Sequence, residues 1–212
     1  LTVSRSEIAT LREQNEELRL QVVELEEARL ENERLRTLVG FIDARELEAI
    51  GARVIGRPTS TWEGVITIDR GTADGVTVGM PVLAPQGLLG QTVDVTQNSS
   101  RVRLITDQRS GVSAIIQSSR AEGIVNGSIE GDLTMDFVSQ EATVAVGDII
   151  LTSGMGGVYP KGLLIGDVQD VEVNENDLYQ RIIVRPSATI RGVEELLVLV
   201  GTPPPADTGG DE

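Results

Sequence analysis

The sequence predicts a mainly β protein with one long N-terminal α-helix. Three observations carry the prediction: a heptad seam from Ile8 to Ile42, a change of period at Gly51, and an echo between two parts of the β region that follows.

Along the seam, Ile8, Leu11, Asn15, Leu18, Val22 and Leu25 follow one another at alternating steps of 3 and 4. Such a stripe keeps one narrow side of a helix apolar and is buried by a second helix rather than by a globular core. One extra step of 3 leads to Ala28, after which the alternation resumes through Asn32, Leu35, Val39 and Ile42. An insertion of this kind is a stammer, which overwinds a supercoil locally without ending it. With Ile8 and Val22 at a, Asn15 and Asn32 also fall at a, where a buried Asn pair selects a parallel two-stranded coil at a cost in stability. Glu7 and Glu31 at g face Arg12 and Arg36 at e of the partner. Exposed pairs of that type contribute about 0.2–1 kcal/mol each and set orientation more than stability. The competing reading is a single amphipathic helix folded back on the downstream region.

After Gly51 the helical period gives way to short β-branched runs separated by turn residues, the mark of an all-β region. The expected strands are Ala52–Ile55, Val65–Asp69, Pro81–Ala84, Leu88–Val95, Arg101–Thr106 and Val112–Gln117, then Glu122–Val125, Leu133–Val138, Ile149–Thr152, Leu163–Val173, Arg181–Val184 and Glu195–Val200. Asp74-Gly75 and Asn126-Gly127 are expected as turns, because Gly tolerates positive φ there. Many short strands without interleaved helices point to barrels or a sandwich rather than a βαβ sheet. The tail 202–212, with three successive prolines, has nothing to bury and is expected to be disordered.

The echo runs through two stretches. Val78-Gly79-Met80-Pro81-Val82-Leu83 resembles Val146-Gly147-Asp148-Ile149-Ile150-Leu151, and Pro85-Gln86-Gly87-Leu88-Leu89 resembles Pro160-Lys161-Gly162-Leu163-Leu164. Each copy leads on to an Asp-Val ending, Asp94-Val95 or Asp170-Val171, and the second carries the extra loop Ser153–Tyr159. Two related β units, each a small closed or nearly closed barrel, account for the pattern; chance likeness of Gly-rich strands is the alternative.

Composition narrows the function classes. Lys and Arg number 18 against 33 Asp and Glu, a net charge of −15, which leaves no electrostatic footprint for nucleic acid or for an anionic membrane surface. No run of about 20 apolar residues exists, so the chain as given contains no spanning helix. It begins at Leu1 in mid-coil, so an N-terminal part, which could hold a membrane anchor, is expected to precede it. Zero Cys fits, weakly, an extracytoplasmic bacterial protein.

Without His or Cys, a Ser-His-Asp triad, a Cys nucleophile and a His- or Cys-ligated zinc site are excluded. A Ser-Lys dyad would need Ser153 and the only lysine, Lys161. The glycine-rich stretch Ser153–Gly157 fails as a phosphate cradle, since no helix follows and Lys161 precedes Gly rather than Ser or Thr. Asp69, Asp74, Asp107 and Asp148 sit by turn glycines or at strand ends, where a carboxylate usually caps a turn. No catalytic, cofactor or metal site is therefore assigned. Within the loop, Met155, Val158 and Tyr159 are apolar for a solvent tip and form a candidate partner contact, the alternative being that they tuck into the second β unit.

An ordered series of motifs runs along the chain. It opens with Glu31-Asn32-Glu33-Arg34-Leu35-Arg36 and Val39-Gly40-Phe41, and continues through Thr67-Ile68-Asp69-Arg70-Gly71, Gly79-Met80-Pro81-Val82 and Gly87-Leu88-Leu89-Gly90. Ser100-Arg101-Val102-Arg103-Leu104-Ile105-Thr106-Asp107 and Ser119-Arg120-Ala121-Glu122-Gly123-Ile124-Val125 follow. The most specific stretch is Val146-Gly147-Asp148 with Thr152-Ser153-Gly154-Met155-Gly156-Gly157-Val158-Tyr159-Pro160-Lys161-Gly162-Leu163, where Tyr159 replaces a more usual Phe. This series resembles the rod shape-determining protein MreC family, and the resemblance implies a coiled-coil dimerisation helix followed by two small six-stranded β-barrel units, distantly like a chymotrypsin-type protease without its catalytic groups. It also implies a scaffold of the bacterial cell-elongation machinery, without cofactor. Such a scaffold is single-pass in the inner membrane and lies mostly on its extracytoplasmic side. Implied partners are a second copy, filaments of copies, MreD, MreB, RodA and a class B penicillin-binding transpeptidase.

The expected domains are a dimerisation helix over 1–48, a first barrel over 49–109, a second over 110–201 whose last strand returns to the first in one variant, and the tail 202–212. Against the scaffold stand a hydrolase built on Ser153 and Lys161 or on a carboxylate pair, and a module gripping peptidoglycan. The single Trp, Trp62, and 2% aromatics weigh against the latter.

Overall fold

The computed structural model describes residues 5–43, 47–57, 64–174 and 177–201; Trp62 and the tail 202–212 lie outside these. Two compact units divide the chain near residue 44.

The first is one helix, α1, Arg5–Asp43. Its sequence is dense in Glu, Leu, Arg and Gln, which keep rotamer freedom in a helix, and at about 1.5 Å per residue it extends roughly 58 Å. Arg29 Nη1 and Glu33 Oε1, 2.6 Å apart, pair across one turn.

The second unit holds two closed six-stranded barrels. Its strands are β1 Glu48–Gly56, β2 Val65–Ile68, β3 Pro81–Ala84, β4 Gly87–Val95, β5 Ser100–Leu104, β6 Gly111–Ile116, β7 Glu122–Gly127, β8 Leu133–Ser139, β9 Ile149–Thr152, β10 Leu164–Glu172, β11 Tyr179–Pro186 and β12 Glu195–Val200. The first barrel closes in the order β1-β12-β3-β4-β5-β2 and the second in the order β10-β11-β8-β7-β6-β9. All neighbours are antiparallel, and closure leaves neither barrel with a free edge. The last strand, β12, thus belongs to the first barrel.

Alternation fills the interiors without aromatic rings. Ile66, Ile68, Val82, Val102, Leu196 and Val198 pack inside the first barrel. Val112, Val125, Met135, Ile150, Val168 and Ile182 are buried along strands of the second. Cores of this composition interlock through branched aliphatic side chains that suit the pleat.

Asp74-Gly75 is a turn as expected: Gly75 adopts φ +87° and donates to Thr72 O at 3.1 Å. Asn126-Gly127 is not. Both residues pair within the ladder, opposite Thr134 and Leu133, and the reversal falls at Ser128–Asp132 with Gly131 at φ +88°. Gly127 serves a different need, since a Cβ there would strike the backbone of Thr106 and Asp107 in the link between barrels. Asp107 is itself buried, and its carboxylate accepts Arg109 N and Nε at 2.8 and 2.9 Å and Arg109 Nη2 at 2.9 Å. Those hydrogen bonds hold its pKa below the usual carboxylate value.

Candidate partner-binding surfaces

Three surfaces present ordered apolar groups. On α1, Leu11, Leu18, Val22, Leu25, Leu35 and Val39 are between 42 and 70% exposed, and Asn15, Ala28 and Asn32 on the same seam are exposed too. The side chains of Ile8 and Ile42 fall outside the described set. An unbroken stripe of this kind costs solvation free energy in a lone chain and is relieved by a facing helix.

The second surface was not foreseen. On β8, residues 135 to 138 oppose only Ile182 to Gln180 of β11, so one extra residue is inserted. The bulge places Met135 and Val138 inward, both fully buried, and turns Phe137 outward at φ +64°. An L-residue pays about 1–2 kcal/mol for that left-handed conformation. Phe137 is 59% exposed and meets Tyr179 edge to face, ring centroids 5.9 Å apart and planes at 78°. Leu178 and Val173 stand beside the pair, 83 and 60% exposed, in a groove of about 850 Å³. Below the rings, Asp136 accepts from Arg181 Nε at 3.0 Å, Asn126 Nδ2 at 3.2 Å and Thr134 Oγ1 at 3.4 Å. Gln180 Nε2 donates to Ser139 O and Ala142 O, each at 2.9 Å. The polar floor is therefore hydrogen-bonded already, while the rings are left to solvent. Strict alternation from Leu133 and Met135 would have sent Phe137 into the core. The only signal of its exposure is the next pair, Val138 followed by Ser139, which fits an inward position at 138 and not at 137.

The third surface is the loop Ser153–Tyr159. Gly154, Gly156 and Gly157 have φ between +73 and +84°, which explains the run of glycines. Thr152 ties its base, donating through Oγ1 to Pro160 O at 2.5 Å and accepting from Leu163 N at 2.9 Å. Met155 is exposed and Val158 half-buried, but Tyr159 is buried. Tyr159 is therefore removed from the candidate contact: burial pushes its hydroxyl pKa up, partly offset by the charge of Arg103 on β5. Packing has claimed the ring, leaving Met155 as the loop's exposed apolar group.

For chemistry, Ser153 Oγ accepts from Met155 N at 3.2 Å, and no hydrogen bond joins it to Lys161 among the described residues. No group of three or more His, Cys, Asp or Glu among these residues could hold a metal ion. No described helix is long and apolar enough to cross a membrane.

Residues 54–200 match the family model of the rod shape-determining protein MreC, barrel core. The cell shape-determining protein MreC of Listeria monocytogenes is 32% identical over 196 residues, covering 89% of this chain and 66% of that one. That of Escherichia coli is 31% identical over 173 residues, covering 81% and 47%. The chain thus spans about half to two thirds of these relatives. Among solved structures, MreC of Listeria monocytogenes aligns with a TM-score of 0.70 at 28% identity, over 94% of this chain and 98% of that one. A complex between Penicillin-Binding Protein (PBP2) and MreC from Helicobacter pylori aligns at 0.60 and 16% identity, over 73% and 99%, a likeness of fold alone.

Proposed function

The chain belongs to the rod shape-determining protein MreC family, and from that premise we propose that it is a non-enzymatic scaffold of the bacterial cell-elongation machinery. It dimerises in parallel through α1 and presents its barrels, on the extracytoplasmic side of the cell membrane, to the proteins that build peptidoglycan. The observation that carries the reading is the heptad seam, which a lone helix leaves 42–70% exposed at its Leu and Val positions. The Phe137–Tyr179 groove is the docking surface for a penicillin-binding transpeptidase, the partner class of the Helicobacter pylori relative. Adjacent exposed aromatic rings flanked by aliphatic groups are the composition of an interface centre. Glu172 and Asp177 around the groove favour a partner face whose apolar anchors are ringed by Lys and Arg. MreD, MreB and RodA are further partners by membership of the family.

Leu18→Asp tests the coil. Each helix would bury a carboxylate against its mate, so sedimentation is expected to show monomer while the barrels melt as before. A dimer that survives the change refutes the seam. An enzymatic role of Ser153 is tested by Ser153→Ala in a cell-shape complementation assay, where full rescue is expected. Retention of the chain by purified peptidoglycan at physiological salt would move the groove's assignment from protein to glycan.

A further inference from the structure

A fourth apolar surface lies on α1, on the side away from the seam. With Asn15 and Val22 at a, Leu20 falls at f and Val23 at b. In the register that Asn32 sets after the stammer, Leu30 falls at f again. A two-stranded coil turns its b, c and f positions to solvent, so pairing through the seam leaves all three side chains uncovered. Leu20 is 72% exposed, Val23 60% and Leu30 39%. At about 1.5 Å of rise per residue the three span roughly 15 Å. One exposed Leu is ordinary on a protein surface, but three aliphatic groups along one side of one helix make a stripe.

The charges beside the stripe are all of one sign. The other b, c and f positions from residue 13 to residue 30 hold Glu13, Glu16, Glu17, Glu24 and Glu27, and no Lys or Arg. All five are exposed, and none is hydrogen-bonded or ion-paired among the described residues. The arginines of this stretch, Arg19 and Arg29, fall at e instead, and Arg29 already pairs with Glu33. Glu13 repels Glu17 one turn away, as Glu24 repels Glu27, so the helix bears a small cost along this side. A cationic neighbour would relieve that repulsion while covering the aliphatic groups.

We propose that this face of α1 docks a basic amphipathic helix of a partner protein. The partner's aliphatic side chains lie on Leu20, Val23 and Leu30, and its Lys and Arg reach the flanking glutamates. The proposal rests on the coil reading for its symmetry, since a parallel dimer carries two such faces back to back. The contact is short and belongs with exchangeable interfaces rather than obligate ones. It also lies on a different unit of the chain from the Phe137–Tyr179 groove, so the two sites recruit separately.

Calorimetric titration of the whole chain with a designed helical peptide, Leu at its a and d positions and Lys around them, tests the proposal. A peptide of the same composition with its Leu residues scattered is the control. The regular peptide is expected to bind one per chain, tenfold or more tighter than the scattered one, and more weakly as salt rises. Leu20→Gln combined with Leu30→Gln keeps helix propensity and is expected to weaken binding tenfold or more. Glu17→Gln combined with Glu24→Gln is expected to flatten the salt dependence. Sedimentation of the same samples is expected to show the dimer in every variant. A monomer before peptide is added would refute the coil, while the Leu20 and Leu30 variant still decides the face. Equal binding of the two peptides, or binding that survives that variant, would overturn the proposal. So would a tetramer of the chain alone that the variant reduces to a dimer, because the face would then belong to a second coil.

Discussion

The two barrels share a strand plan and differ in what they add to it. In the first, β2 pairs with β5 in unbroken register from Val65–Arg103 to Ile68–Ser100. In the second, the equivalent β8 and β11 are interrupted by the bulge that expels Phe137. The first joins β3 to β4 through the two residues Pro85 and Gln86, whereas the second joins β9 to β10 through a longer loop with Met155 at its tip. Every described aromatic residue of the barrels belongs to the second. Where the copies agree, residues answer to closure and packing; where they part, the second has acquired exposed apolar groups. The exposed apolar groups of the second barrel thus stand where it departs from the shared strand plan.

Several changes would break or sharpen that comparison. The largest effect is expected at the shared glycines. Gly90→Ala and Gly166→Ala each drive a methyl into a neighbouring backbone carbonyl, and each should cost about 3 kcal/mol or more. Denaturant titration of both variants checks it, and markedly unequal losses would end the equivalence of the copies.

The links come next, because they solve one problem by different means. The link after β5 is pinned by the Asp107–Arg109 pair, that after β11 by Ala188 and Val193 in the core. Asp107→Asn should cost about 1–3 kcal/mol. The folded pKa of Asp107 is depressed, so its contribution is present above the ordinary carboxylate value near 3.8 and is lost as pH falls through the folded value. Unfolding titrations below that pH should therefore show a declining stability that Asp107→Asn flattens.

Phe137→Gly separates function from folding. Relief of the positive φ should raise stability by about 1 kcal/mol, while loss of the ring should weaken capture of the penicillin-binding partner tenfold or more. Thermal melts and binding titrations on the same preparation decide it; a variant that loses stability would mean the ring packs inward. The smallest effect is expected from Met155→Ser, within about 0.5 kcal/mol, since that side chain touches solvent. A larger loss would show that the loop supports the barrel.

Much of this was legible in order along the chain. The heptad spacing predicted α1, and all twelve expected strands are present, with the first extended back to Glu48. Local period suffices there, because an element's apolar side repeats at 3.5 or 2 residues whatever the element packs against. The echo of Val-Gly and Pro-x-Gly turns also showed through, since those backbones need glycine in either copy.

What escaped was everything set by residues distant in sequence. Asn126-Gly127 has the composition of a turn, yet its glycine is required by the approach of Thr106 and Asp107. Phe137 has the position of a core residue, yet the mismatch between β8 and β11 turns it out. Tyr159 sits in a glycine-rich loop, yet tertiary packing buries it, with the charge of Arg103 on β5 felt at its hydroxyl. Sequence alone determined the helix, the strands and their duplication through local periodicity and φ preference. Tertiary structure decided which barrel each strand closes and which aromatic ring meets solvent, because pairing register and steric closeness depend on chain segments that local pattern cannot bring together.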